Sequence, residues 1–190
     1  KVEEGRIEEI RECIGCNICV SGDYMMMPMR CTQNPTKGEE WRRGWHPERI
    51  PGKGSDARVL VVGAGPAGLE AARALGQRGY GVTLAEAGTE LGGHLNALAG
   101  LPGLSTWARV RDWRIGQLHK LPNVELFLDS RLDAAQVREF GFDHVAVATG
   151  SVWRRDGMGR AHRSPIEGWE SARVKTPDDI IAGAAVRDPS

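Results

Sequence analysis

One ten-residue stretch, Val59-Leu60-Val61-Val62-Gly63-Ala64-Gly65-Pro66-Ala67-Gly68, restricts this chain more than any other. It runs from an apolar strand straight into G-x-G-x-x-G at the start of a helix, the setting in which that motif carries meaning. Gly63 makes the turn, Gly65 lets a pyrophosphate approach, and Gly68 lets helix and strand pack closely. The helix N-terminus then offers N–H groups and its dipole to phosphate. Arg58 to Val62 reads as a buried strand and Ala67 to Arg78 as a helix with Leu69, Ala72 and Leu75 on one face. Gly79 stops it, and Gly81 to Ala85 is the second strand of a βαβ unit of about 30 residues. Glu86 ends that strand, placed to accept hydrogen bonds from an adenosine ribose and to repel a 2′-phosphate. The bland alternative is an ordinary turn with incidental glycines. Strand, helix and acid in register favour the nucleotide, and the spacing alone leaves NAD and FAD both open.

Later segments extend the sheet. Trp107 to His119 reads as a helix, Val124 to Leu128 as a strand, Ala134 to Phe140 as a short helix, His144 to Ala148 as a buried strand, and Pro177 to Ala185 as a final helix. Upstream, residues 2–12 place Val2, Ile7 and Ile10 among charges in a weak helical pattern, and 13–56 is rich in loops and proline. The expected fold class is therefore α/β: a loop-rich segment over 1–56, then a Rossmann-like parallel-sheet domain over 57–190. With 25 acidic against 25 basic residues, no overall field draws nucleic acid or an acidic membrane. No apolar stretch suggests a membrane span, no signal peptide opens the chain, and cytoplasm is the expected compartment.

All four cysteines, Cys13, Cys16, Cys19 and Cys31, fall in the first 31 residues, where a disulfide framework would spread its staples. Clustering points to a metal site that orders the loops. Three cysteines strung as C-x2-C-x2-C with a distant fourth is close to the bacterial ferredoxin spacing for a [4Fe-4S] cluster. Gly15 allows the tight bend that turns backbone N–H groups toward the sulfurs, and Arg11 and Arg30 add positive charge. Structural zinc is the rival, although it favours two separated pairs; a redox Cys-x-x-Cys pair needs only two thiols. His46, in WHPE, is a lesser candidate ligand, with surface or packing the blander role. No catalytic acid, base or nucleophile stands out. His94, His119, His144 and His162 are scattered, Tyr24 and the tryptophans read as core packing, and Arg42-Arg43 as a solvated face.

Leu91-Gly92-Gly93-His94 and the strand end Ala148-Thr149-Gly150 resemble the two-dinucleotide-binding flavoproteins, whose first such unit holds FAD. That likeness moves the expectation from NAD toward FAD or its ADP half. It draws a nucleotide site of Gly63, Ala64, Gly65, Pro66, Ala67, Gly68, Glu86, Ala87, Gly93, His94, Leu95, Thr149 and Gly150. More narrowly, RECIGCNICV, MRCTQNPTKGEEWRRGWHPE, VVGAGPAGLEAARALGQRGY, GGHLNALAGLPGL and VAVATGSVWRRDG resemble the trimethylamine dehydrogenase family, in order, from about Ile10 to Ala185. Members of that family and the related 2,4-dienoyl-CoA reductases join an FMN-holding TIM barrel to a [4Fe-4S] segment and nucleotide-binding domains.

The resemblance implies Cys13, Cys16, Cys19 and Cys31 as cluster ligands and the Gly63–Gly68 loop with Glu86 as the adenine-nucleotide site. It implies electrons passing from FMN in a barrel of the same parent protein, through the cluster, to an electron-transfer flavoprotein, in an amine dehydrogenase that is homodimeric. The surroundings of Cys31, Trp45-His46-Pro47-Glu48 and GGHLN resemble the amine enzymes, in which the nucleotide is ADP. The first alternative reverses the flow, with NAD(P)H reducing FAD in an enoate or dienoyl-CoA reductase. The second is a zinc-stapled nucleotide-binding module without enzymatic activity. A start without Met inside a charged segment, and a stop at Ser190 before the first nucleotide domain would be completed, give the expectation of a central fragment, inactive alone.

Overall fold

Three consecutive buried residues, Val59, Leu60 and Val61, put β1 (Arg58–Val62) in the middle of a sheet, because a strand covered on both faces needs apolar side chains on both. β2 (Gly81–Ala85) and β4 (His144–Val147) pair with it in parallel, and β3 (Val124–Phe127) pairs with β2, giving the order β3-β2-β1-β4. The chain thus steps outward from β1 on one side and returns to its other side for β4. This reversal opens a crevice beyond the strand ends, where ligands of such sheets bind. Val62 lies opposite both Ala85 and Val147, so Gly63, Glu86 and Ala148 leave the sheet at one level. The entry to β4 is anchored by Asp143, whose carboxylate accepts the Arg58 N–H at 2.7 Å.

The computed structural model describes residues 1–38 and 50–185, in two compact units, Lys1–Thr149 and Gly150–Ser190. In the first unit, α1 (Ile18–Tyr24) lies within the cysteine segment, and α2 (Pro66–Gln77) makes the β1–β2 crossover. Next come α3 (His94–Ala99) and α4 (Ala108–Leu118), with α5 (Ala134–Glu139) between β3 and β4. Leu69 and Ala72 of α2 and Leu118 of α4 pack on Val59, Val61, Val82 and Leu84 to form the main core. Each fully buried leucine there contributes about 1.5–3 kcal/mol. The second unit carries α6 (Pro177–Ile181), capped by Thr176, whose hydroxyl accepts the Asp179 N–H at 3.1 Å. No helix among the described residues is long and apolar enough to cross a membrane.

Five expectations change. β4, expected as a buried strand, is the edge strand of the order β3-β2-β1-β4, and its Val145 and Val147 are 41% and 74% exposed. Residues 2–12 form only a 3-10 turn, Ile7–Glu9, because Gly5 turns the chain at φ 68° and Val2 and Ile7 stay 66% and 64% exposed, so no apolar face is buried. α1 and α3 were not anticipated: each is short, and the composition around them reads as loop. The last helix stops at Ile181 instead of Ala185, as Gly183 turns to φ 90°. Tyr24 does not pack in a core; it is 85% exposed. His46 and Arg42-Arg43 lie outside the described residues.

α5 gives a direct test of local coding. The Asp133 carboxylate accepts the N–H groups of Ala135 and Gln136, and the Gln136 side chain accepts the Asp133 N–H, a complete capping box. Asp133→Ala is expected to cost about 1 kcal/mol, read as a shifted midpoint in urea titration followed by circular dichroism.

Candidate functional site

The turn after β1 is built by steric exclusion. Gly63 sits at φ 98°, and a Cβ on it would fall 2.5 Å from the Ala148 carbonyl oxygen, so the ends of β1 and β4 touch through this residue. A Cβ on Gly68 would fall 1.8 Å from the Gly63 carbonyl oxygen, which fixes how closely α2 crosses the turn. Gly65 differs: its backbone is extended, it caps α2 with Pro66 as the first helical residue, and a Cβ there would meet nothing within 4 Å. The open side of Gly65 and the first turn of α2, Ala67 included, therefore face available space. Proline suits this position because its absent N–H would have no helical partner.

Glu86 braces the same turn. One carboxylate oxygen accepts the Ala64 N–H at 2.7 Å and the other accepts the Gly88 N–H at 2.8 Å, closing the loop around Ala87. Each oxygen keeps a further lone pair for a ligand hydroxyl. The 91–93 loop passes alongside: Gly92 donates to the Ala64 carbonyl at 2.8 Å, and a Cβ on Gly93 would lie 3.2 Å from the Gly65 Cα. His94 opens α3, and Leu95 turns inward, 6% exposed. The structure thus brings Gly63, Ala64, Gly65, Pro66, Ala67, Gly68, Glu86, Ala87 and Gly93 together. Leu95 belongs to a packing cluster instead, Thr149 follows β4 next to Gly63, and Gly150 is the first residue of the second unit. Glu86→Ala removes both backbone bonds and is expected to destabilise the turn by about 1.5–3 kcal/mol, a loss that thermal unfolding would register.

The cysteine loop bends through two left-handed residues, Gly15 at φ 69° and Asn17 at φ 56°. Gly15 donates its N–H to the Cys13 sulfur at 3.3 Å, and the Cys16 sulfur lies 3.2 Å from the Thr32 hydroxyl oxygen. The Thr32 hydroxyl, and after it the Ile18 N–H, hold the Cys16 thiol below its ordinary value. Cys13 is exposed and Cys16, Cys19 and Cys31 are half-buried, all four as free thiols. Among the described residues, no three His, Cys, Asp or Glu side chains stand grouped as they would around a single metal ion. Ile14 and Cys16 pack against Leu95, Leu98, Trp107 and Val110, so the cysteine loop rests on the helices that follow the nucleotide turn.

A buried polar clasp joins the two sites. Gln33, 3% exposed, donates its side-chain amide to the Glu12 carbonyl at 3.1 Å, tying the chain beyond Cys31 to the residue before Cys13. Its own carbonyl accepts from Arg11 at 2.7 Å and from Arg114 at 3.0 Å, and its Oε1 accepts a second Arg114 N–H at 3.0 Å. Arg114 Nε is ion-paired at 2.7 Å with Glu70 of α2, without the angle of a hydrogen bond, and Glu70 also pairs with Arg73. Trp113 is flanked by Arg11, 4.0 Å from its ring centre, and by Arg73 at 5.4 Å. Burial, opposed mainly by Glu70, lowers the Arg11 guanidinium to about 10, so it stays charged at neutral pH. A cavity of about 680 Å³ opens here, lined by Cys13, Cys31, Arg11, Arg73, Gln33 and Trp113 among others. The sequence gives no sign of Gln33, Glu70 or Arg114 as site residues. Arg30, expected to add charge, is exposed.

The parallel sheet, the glycine turn after β1 and the reversal of strand order go with a family match: the chain belongs to the pyridine nucleotide-disulphide oxidoreductase family, whose model matches residues 57–180. Its likeness within that group is to the trimethylamine dehydrogenase family. The chain is 44% identical to dimethylamine dehydrogenase of Hyphomicrobium sp. (strain x), over 96% of this chain and 26% of that protein. Histamine dehydrogenase from Rhizobium sp. 4-9 superposes with a TM-score of 0.88 at 63% identity, over 96% of this chain and 26% of that one. The 6-hydroxypseudooxynicotine amine oxidase of Pseudomonas geniculata N1 gives 0.88 at 52% identity, over 96% and 28%. The chain therefore spans about a quarter of the length of the relatives it matches.

Proposed function

We propose that this chain is the electron-transferring portion of a larger amine-oxidising flavoprotein, in which Cys13, Cys16, Cys19 and Cys31 hold a [4Fe-4S] cluster and the Gly63–Gly68 turn with Glu86 seats ADP or FAD. The observation that carries the reading is likeness to amine dehydrogenases and an amine oxidase running through both sites at once. The residues fit the groups. Four thiols match the four corners of a cubane, and the Gly15 N–H and Thr32 hydroxyl lie against two of the sulfurs. The open side of Gly65 and the N-terminus of α2 fit a pyrophosphate.

When bound, the cluster would supply a one-electron relay between FMN, held in a barrel of the parent protein, and an electron-transfer flavoprotein. This chain's own contribution is positional. The clasp at Gln33 ties the chain after the fourth cysteine to the residue before the first, and Ile14 and Leu95 keep the cysteine loop against the nucleotide-binding unit. In this reading residues 1–56 form the cluster segment and 57–190 the nucleotide domain, in a cytoplasmic homodimer.

Anaerobic purification of the parent protein, with iron and acid-labile sulfide analysis and release of its nucleotide, tests this. About four irons and four sulfides per chain are expected from the four thiolates. Zinc without sulfide would leave a stapled nucleotide-binding module in place of an electron carrier. Released ADP supports the amine dehydrogenase direction, and released FAD with NAD(P)H oxidation supports the reductase direction.

A further inference from the structure

We infer that Arg114 is a positioning residue for the cluster site, delivering the Cys31 ligand through Gln33 and holding a fixed positive charge beside it, and that Glu70 of the nucleotide-binding helix sets how much of that charge the cluster experiences. The inference rests on the cluster reading above.

Three observations carry it. First, α4 presents Val110, Arg114 and Leu118 on its buried face, each 3% exposed or less, so Arg114 occupies the position of a core side chain. A buried guanidinium is costly unless it is fully engaged. Second, two of its nitrogens donate to Gln33, and the third faces Glu70. Gln33 follows Cys31 by two residues and is bonded in turn to the residue before Cys13, so Arg114 controls the separation of the distal ligand from the three-cysteine loop. Third, Arg11 shares the Gln33 carbonyl with Arg114 and lines one cavity with Cys13 and Cys31, so the paired guanidinium groups stand at the side of the molecule where the first and last cysteines open.

The consequence is electrostatic. A cubane with four thiolates is anionic, and adding one electron makes it more so, so a nearby buried cation favours the reduced state. Glu70 offsets that cation. Arg114 and Glu70 should therefore shift the midpoint potential in opposite directions, which loosened packing would not do.

The test is a mediated dithionite titration of the iron-replete full-length protein, followed by electron paramagnetic resonance of the reduced cluster. Arg114→Gln is expected to disfavour reduction about tenfold, a fall of about 59 mV for one electron. Glu70→Gln is expected to favour reduction by a similar factor, and Arg114→Lys to keep the potential while releasing iron to a chelator faster than wild type, since one ammonium cannot replace the fork on Gln33. If Arg114→Gln retains no iron, the Glu70→Gln and Arg114→Lys results decide the matter. Unchanged potentials, or shifts of the same sign in Arg114→Gln and Glu70→Gln, overturn the inference and leave the cluster reading standing. A wild-type protein without iron and sulfide overturns both.

Discussion

Gly68→Ala is expected to lower the unfolding midpoint by about 6–12 °C and to empty the proposed nucleotide site, the largest effect of an added methyl group among the described glycines. The added carbon would stand 1.8 Å from the Gly63 carbonyl oxygen and 3.0 Å from its carbon. Both are backbone atoms of a turn held by the Ala85 carbonyl through Gly63 N at 2.8 Å, so neither can swing aside. Overpacking of this kind costs about 3 kcal/mol, and for a protein of this size each kcal/mol moves the midpoint by about 2–4 °C. Gly65→Ala supplies the contrast. Its Cβ meets nothing, so stability should stay within about 0.5 kcal/mol of wild type while nucleotide affinity falls, because the methyl occupies the approach to the phosphates. Differential scanning calorimetry and nucleotide release on the two variants separate architecture from binding. Equal midpoints would show that α2 need not lie where this turn puts it.

Cys31→Ala is expected to strip the parent protein of its iron and to open residues 12–33 to protease. The cysteine segment contributes little to any core, Ile14 at 7% exposed and Gln33 at 3% being its main buried side chains. Its order would then depend on the bound group, as in small domains where metal binding is folding energy. Limited proteolysis should be about tenfold faster or more within that segment, with the far-ultraviolet signal of the sheet and its helices retained. Iron retained in Cys31→Ala would assign the fourth ligand elsewhere. Cys16→Ala should behave alike, with the added loss of the Thr32 contact.

The four strands were legible because β1, β2 and β4 are short, mainly apolar runs and β3 alternates around Glu125, all bounded by turn residues, and β1 and β2 flank a motif whose geometry is closely determined. The nucleotide turn was legible for the same reason: steric demands at Gly63 and Gly68 leave almost no other residue. The clasp was not. Gln33 lies in a polar, proline-bounded stretch that reads as solvated, and its partner Arg114 is 81 residues away. Arg114 also breaks the apolar stripe of α4, where local pattern calls for a leucine. Long-range polar contacts leave no periodic trace, so they become visible only once the elements are in place. The expectation for 2–12 failed in the opposite sense: Val2, Ile7 and Ile10 suggest a helical face, but Gly5 interrupts it and nothing among the described residues covers it.

The position of β4 bears on the order in which this molecule assembles. β1, α2 and β2 meet through contacts close in sequence, so this half can condense early. β4 must come back to β1 from far along the chain; Arg58 and Asp143, which mark its arrival, are 85 residues apart. Closing so long a loop is slow relative to local pairing. Yet the wall against which Gly63 is formed is the Ala148 carbonyl. The turn around Gly63 is therefore expected to be completed late in folding. A chain emerging from the ribosome would present the glycine motif long before β4 could close the turn, and capture of the proposed nucleotide would report that β4 had docked.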